Sequence, residues 1–145
     1  MDLEYPVPAV NADTKPYWDA AREGRLVLKF CSACRKAHFP PRYLCPTCWS
    51  ACTDWIESKG RGALYSFTVM HRAPTPAFNA GVPYVVALVD LDEGPRMLAN
   101  VIGADARSVR IGERVRVVFE KRKDGFALPQ FERIASADAA RLKAP

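Results

Sequence analysis

A chain of 145 residues is long enough for one ordinary domain, or a small domain with an appendage, and 49% hydrophobic and 26% charged residues is the composition of a globular protein. Its longest apolar stretch, "YVVALV" (84–89), falls far short of the roughly 18 residues that cross a bilayer, and "MDLEYPVPAV" lacks the basic and apolar parts of a signal peptide, so a cytoplasmic protein is expected. The net charge of +5 gathers in the second half, most densely over 107–123 with seven basic and two acidic groups, a face that attracts an anion or simply meets solvent.

In chain order, residues 1–26 are predicted as an N-terminal helical arm. Asp13 or Thr14 caps a short helix, Pro16 suits its first turn, Tyr17, Trp18 and Ala21 form a weak apolar face, and Gly24 stops it. A helix this short is marginal alone and must dock, on its own chain or on a partner, with Trp18 as the anchor.

Residues 27–59 contain "FCSACRKAHFPPRYLCPTCW", two Cys-x-x-Cys pairs separated by ten residues. Each pair turns two sulfurs to one side of a tight knuckle, so Cys31, Cys34, Cys45 and Cys48 can surround a tetrahedral ion at about 2.3 Å. In a reducing compartment such a cluster reads as a metal site, not as disulfides. Zinc suits it best, with iron sharing the ligand set. Four thiolates leave no open coordination position, so one structural zinc ion and a rubredoxin-like ribbon are expected, with no chemistry at the metal. Cys52 is expected as a spare buried thiol and His38 as a bystander.

From 60 to 134 the period changes to two. "ALYSFTVMHR" (63–72), "PYVVALVDLDE" (83–93), "RMLANVIG" (96–103), "ERVRVVFEKR" (113–122) and "FALPQFERI" (126–134) read as five strands, with a longer crossing segment after the third. This is the plan of a five-stranded Greek-key OB-fold barrel, a sandwich being the alternative. Residues 135–145 form a C-terminal tail. The whole is mainly β.

The chemistry-bearing residues are few. His38 and His71 are the available imidazole bases, and neither a nucleophile elbow nor a phosphate loop occurs. Asp90, Asp92 and Glu93 read as a solvated turn. "HRAPTPAFNAGVPY" (71–84) is a proline-stiffened loop around Phe78, either a docking loop or a cover on the barrel mouth. A single-stranded nucleic-acid site would need aromatic platforms on the second and third strands, where Tyr84 is the one aromatic residue.

The succession "YWDAAREGRLVLKFCSAC", "FPPRYLCPTC", "GALYSFTVMHR", "PYVVALVDLDEGPRMLANVIG" and "VRIGERVRVVFEKR", covering about 12–134, resembles the family that joins a rubredoxin-like zinc ribbon to an OB-fold. That family was long a domain of unknown function and is associated with acyl-CoA metabolism. The resemblance implies zinc on Cys31, Cys34, Cys45 and Cys48, no catalytic residue, and a non-catalytic accessory subunit that binds acyl-CoA or scaffolds a thiolase-like enzyme or enoyl-CoA hydratase. Arg35 stands where the family commonly has glycine after the first knuckle. On this reading Arg107, Arg110 or Arg114 meets the CoA phosphates, and Trp18 and Phe78 anchor the partner. The alternative is an OB-fold that binds single-stranded nucleic acid.

Overall fold

The computed structural model describes residues 5–135, so the tail expected over 135–145 lies, apart from Ala135, outside the described residues. Helix α1 spans Lys15–Arg22, with Thr14 at its N-cap and Pro16 in the first turn, where a missing N–H costs nothing. The turn before it is closed by a reciprocal exchange in which Asn11 N–H donates to Thr14 Oγ1 (3.0 Å) and Thr14 N–H donates to Asn11 Oδ1 (2.9 Å). Thr14, not Asp13, thus occupies the N-cap position, though its side chain makes no capping hydrogen bond to the helix. Gly24 ends the helix at φ +76°, a region open to glycine without strain. The buried face is Tyr17, Ala20 and Ala21, which settles α1 against β1, β7 and β8.

Three short strands follow: β1 (Val27–Cys31), β2 (Lys36–His38) and β3 (Thr53–Glu57), antiparallel in the order β2-β1-β3. Cys31 faces Lys36 across one ladder and Thr53 across the other, so the first cysteine closes the end of the central strand, paired on both sides. The junction with the next unit is tight. Gly60 has φ +66° and a Cβ there would overlap the Val117 side chain, while Val117 N–H donates to Gly60 O (2.6 Å).

The five predicted strands are present as β4 (Arg61–Met70), β5 (Tyr84–Leu91), β6 (Arg96–Val101), β7 (Arg114–Lys121) and β8 (Ala127–Arg133), closed into a barrel in the order β4-β5-β6-β8-β7. All pairings are antiparallel except β6 with β8, which meet in parallel at Val101 and Phe131. That order is the OB-type barrel, and the sandwich alternative falls away. In β5 the alternation is strict: Val85, Ala87, Val89 and Leu91 are buried, and the residues between them face outward. One core cluster runs from Tyr17, Leu26 and Leu28 through Leu64, Val89 and Met97 to Phe131, so helix, ribbon base and barrel share an interior. Among the described residues no helix is long and apolar enough to cross a membrane.

Candidate metal centre and its surroundings

The four sulfurs predicted to bind metal come together: their ligand atoms all lie within 4.8 Å of one another. Cys31 Sγ is 3.6 Å from Cys48 Sγ, and Cys34 Sγ is 3.7 Å from Cys45 Sγ. Disulfide sulfurs would stand about 2.05 Å apart. A tetrahedron with 2.3 Å metal–sulfur bonds has edges of about 3.8 Å, so the observed spacing fits a bound tetrahedral ion. Such an ion would be held by these four residues, and its coordination would be complete without water or substrate.

The two knuckles are built alike. Cys34 is followed by Arg35 at φ +58°, and Cys48 by Trp49 at φ +62°. Left-handed backbone after the second cysteine lets the chain double back with N–H groups aimed at sulfur. Thr47 N–H lies 3.4 Å from Cys45 Sγ. Burial raises the Cys45 thiol, but the N–H groups of Cys48 and Thr47 and the neighbouring sulfurs outweigh it and hold the pKa at about 6. Cys34 goes the other way, pushed up to about 12 by burial and by the sulfurs around it.

Of two further expectations about the ribbon, that for Cys52 changes and that for His38 stands. Cys52 is exposed, its carbonyl accepting from Ser32 N–H (3.0 Å), so it is not a buried spare thiol. His38 is buried without either ring nitrogen making a hydrogen bond, and it stands outside the sulfur cluster.

The arginine-rich face is largely neutralised by its own chain. Arg114 makes a two-point pair with Asp92 (2.6 and 2.7 Å), Arg116 meets Glu132 (2.6 Å), and Arg133 bridges Glu113 and Asp105. The guanidinium beside it holds the Asp92 carboxyl below the usual range. Of the three arginines expected to meet phosphate, Arg114 is thus occupied, whereas Arg107 and Arg110 are exposed and make no ion pair among the described residues. The acidic trio divides three ways: Asp90 to Arg96 (2.6 Å), Asp92 to Arg114, and Glu93 Oε1 to the N–H of Lys59 (2.8 Å). The three are spent on structure, as ion pairs and a backbone contact instead of a merely solvated turn.

Both predicted anchors face their own chain. Trp18 packs edge-on against Tyr17 (5.0 Å) and Phe126 (5.4 Å). Phe78 sits on a 3-10 helix, Pro76–Gly81, and contacts Tyr5 (4.9 Å) and Tyr84 (6.4 Å), which makes the loop a cover on the barrel. Sequence reasoning missed Tyr5, whose neighbours Phe78 and Arg122 come from remote parts of the chain. The prolines at 6 and 8 were the available signal that this segment runs extended.

Family profiles match residues 18–53 as "ChsH2, rubredoxin-like zinc ribbon domain" and 55–120 as "ChsH2, C-terminal OB-fold domain". The chain is 40% identical over 126 residues to the "Probable enoyl-CoA hydratase alpha subunit" of Thermomonospora curvata, covering 87% of this chain and 39% of that protein. It therefore spans about two-fifths of the length of that relative. It is 36% identical over 97 residues to a "DUF35 domain-containing scaffold protein" of Methanothermobacter thermautotrophicus, covering 66% of this chain and 72% of that protein. Among solved structures, a chain of the "Ltp2-ChsH2(DUF35) aldolase" aligns with a TM-score of 0.76 and 38% identity over 88% of this chain and 98% of that one. With four clustered thiols, an OB-ordered barrel and these matches together, the chain belongs to the DUF35 family, in which a rubredoxin-like zinc ribbon is joined to an OB-fold.

Proposed function

We propose that the protein is a non-catalytic accessory subunit that scaffolds an acyl-CoA-processing enzyme of the thiolase-like, aldolase or enoyl-CoA hydratase kind, working in the cytoplasm with one structural zinc ion in the ribbon. The observation that carries this reading is the 38% identity across nearly the whole DUF35 chain of an aldolase. The site chemistry agrees with it. The four thiols would complete the coordination of a metal ion, and the candidate acids Asp90, Asp92 and Glu93 are tied into ion pairs or a backbone contact.

If CoA reaches this subunit, its phosphates meet Arg107 and Arg110 on the segment between β6 and β7, since Arg114 is already held by Asp92. The nucleic-acid alternative draws no support from the relatives, and most of the basic strand face that it would use is neutralised within the chain. The test is gentle affinity purification from the native host with mass spectrometry, followed by light scattering of the purified complex. A stoichiometric acyl-CoA enzyme whose turnover depends on this chain is the expected result. Turnover by the isolated chain, abolished by one substitution outside the metal site, would overturn the reading.

A further inference from the structure

A cleft of about 420 Å3 opens on the barrel wall where the β6–β8 ladder pairs only Val101 with Phe131. Its volume lies within the roughly 300–1,000 Å3 of small-molecule sites. Three rings wall it: Phe78 from the 3-10 helix, Tyr84 from the start of β5, and Tyr5 from the segment preceding α1. The remaining apolar lining includes Val86, Ile102 and Leu128.

The polar groups in the cleft are unevenly satisfied. Gln130 is buried, and its Oε1 accepts the Asn100 N–H at 2.9 Å. Its Nε2 reaches Glu120 Oε2 at 3.4 Å, and the Glu120 carboxylate, itself exposed, keeps acceptor capacity for water or a ligand donor. The one cation at the rim is already engaged. Arg122 pairs with Asp124 (2.8 Å) and donates to the carbonyls of Tyr5 (3.1 Å) and Pro6 (3.2 Å). The cleft thus presents rings, aliphatic surface and, at its solvent-exposed edge, the Glu120 carboxylate as a hydrogen-bond acceptor, with no uncommitted positive charge among its lining residues. A phosphate or carboxylate would meet repulsion there, whereas a neutral hydroxyl or amide N–H would find an acceptor.

Tyr5 is the weakest wall. It is 42% exposed, belongs to a segment without helix or strand, and is held by one hydrogen bond from Arg122 to its backbone carbonyl and by ring contacts. Its hydroxyl lies 3.8 Å from where a Cβ would stand on Gly81, so the ring lodges where the 3-10 helix carries no side chain. Swinging it outward breaks no ladder of the barrel.

We propose that this cleft binds a neutral, largely apolar group carrying a hydroxyl or amide donor, and that Tyr5 is a displaceable wall over it. In a thioester, two parts have that chemistry: a hydroxylated acyl tail and the pantetheine arm. Naming a thioester rests on the accessory-subunit reading, while the preference for a neutral donor rests on the cleft alone.

The experiment titrates the 15N-labelled, metal-loaded full chain with methyl 3-hydroxydecanoate, with the 3-hydroxydecanoate anion and with pantetheine. Saturable shifts are expected at the backbone amides of Tyr84, Val86 and Asn100 and at the side-chain amide of Gln130. Binding of the ester identifies the tail, binding of pantetheine the arm, and the anion binds about tenfold more weakly than its ester, a difference that Glu120→Gln reduces. Tyr5→Ala tightens binding about threefold by removing the competitor, and Leu128→Trp fills the cleft and erases the shifts with metal content unchanged. No saturable shift with any probe, or an anion that binds as well as its ester, overturns the site; weaker binding by Tyr5→Ala overturns the wall. Light scattering with the enzyme partner is scored separately: loss of cleft binding with assembly intact removes only the cleft, and binding without any assembly removes only the accessory role.

Discussion

Between Ser32 and Glu57 only His38, Pro41 and Cys45 are buried, whereas the barrel encloses Leu64, Val85, Val89, Met97, Val115 and Phe131 almost completely. The two regions are similar in secondary structure, both antiparallel strands joined by turns, yet they are stabilised differently. A segment with so little apolar surface removed from water cannot offset its own ordering entropy. The ribbon therefore depends on metal ligation, and the barrel on burial. They meet through Leu26, Val27 and Leu28, which belong to the shared core.

Breaking the ribbon is expected to have the largest effect. Structural metal binding contributes on the order of 10 kcal/mol to such units. Cys45→Ser, or a strong chelator, should collapse the amide dispersion of residues 31–57 while β4–β8 keep theirs, read by heteronuclear NMR alongside metal analysis. Simultaneous loss of both sets would mean that the shared core makes one cooperative unit of them. The reverse experiment is Phe131→Ala. That ring is fully buried where β6 and β8 close the barrel, and its truncation should cost about 3–5 kcal/mol, seen as a lowered midpoint in denaturant with metal stoichiometry unchanged in the folded fraction.

The difference in stabilisation also explains which features were legible in the sequence. The ribbon could be read because its ligands are fixed by local spacing: Cys-x-x-Cys is a statement about one turn. The barrel strands could be read because burial imposes period two, as in Val85, Ala87, Val89 and Leu91. The features misread or left open depended on residues far apart in sequence. Arg114 looked available for phosphate until Asp92, 22 positions earlier, was found to hold it. For the Phe78 loop the sequence left docking and covering equally open, and the choice turned on Tyr5 from the other end of the chain. Neither pairing has a periodic or spacing signal, because each follows from barrel closure and the path of the arm. Cys52 failed for the opposite reason: composition favours burial of a free thiol, but the ribbon has too little interior to bury it.

A smaller and stabilising change would sharpen the ribbon's dependence on local geometry. Arg35 occupies left-handed backbone that costs an L-residue about 1–2 kcal/mol, and its side chain is exposed. Arg35→Gly removes that strain at the expense of some unfolded-chain entropy, for a net gain of up to about 1 kcal/mol. The expected readout is a higher chelator concentration at half-loss of metal, with the barrel's own denaturant midpoint unmoved. A matched rise in both midpoints would again point to a single cooperative unit.

The smallest effect concerns the one buried imidazole. Burial lowers the His38 pKa from its ordinary 6.5, repulsion from Lys29 and Arg42 adds to that, and the Arg42 backbone opposes it in part. In the window just below 6.5 the unfolded chain therefore binds more protons than the folded one, so stability from this residue is complete above 6.5 and is lost as pH falls towards the folded value. Cysteine protonation on acidification weakens metal binding over an overlapping range and must be separated from it. His38→Leu does so. The Arg42 backbone lies near enough to favour the charged ring but in no proper hydrogen-bond geometry with either ring nitrogen, so an apolar replacement breaks no hydrogen bond among the described residues. The difference in stability between wild type and His38→Leu should be flat above pH 7 and should shift in favour of the variant below 6.5. A difference that stays constant from pH 8 to 5 would show that His38 does not titrate with folding, leaving the thiols to account for the whole acid sensitivity of the ribbon.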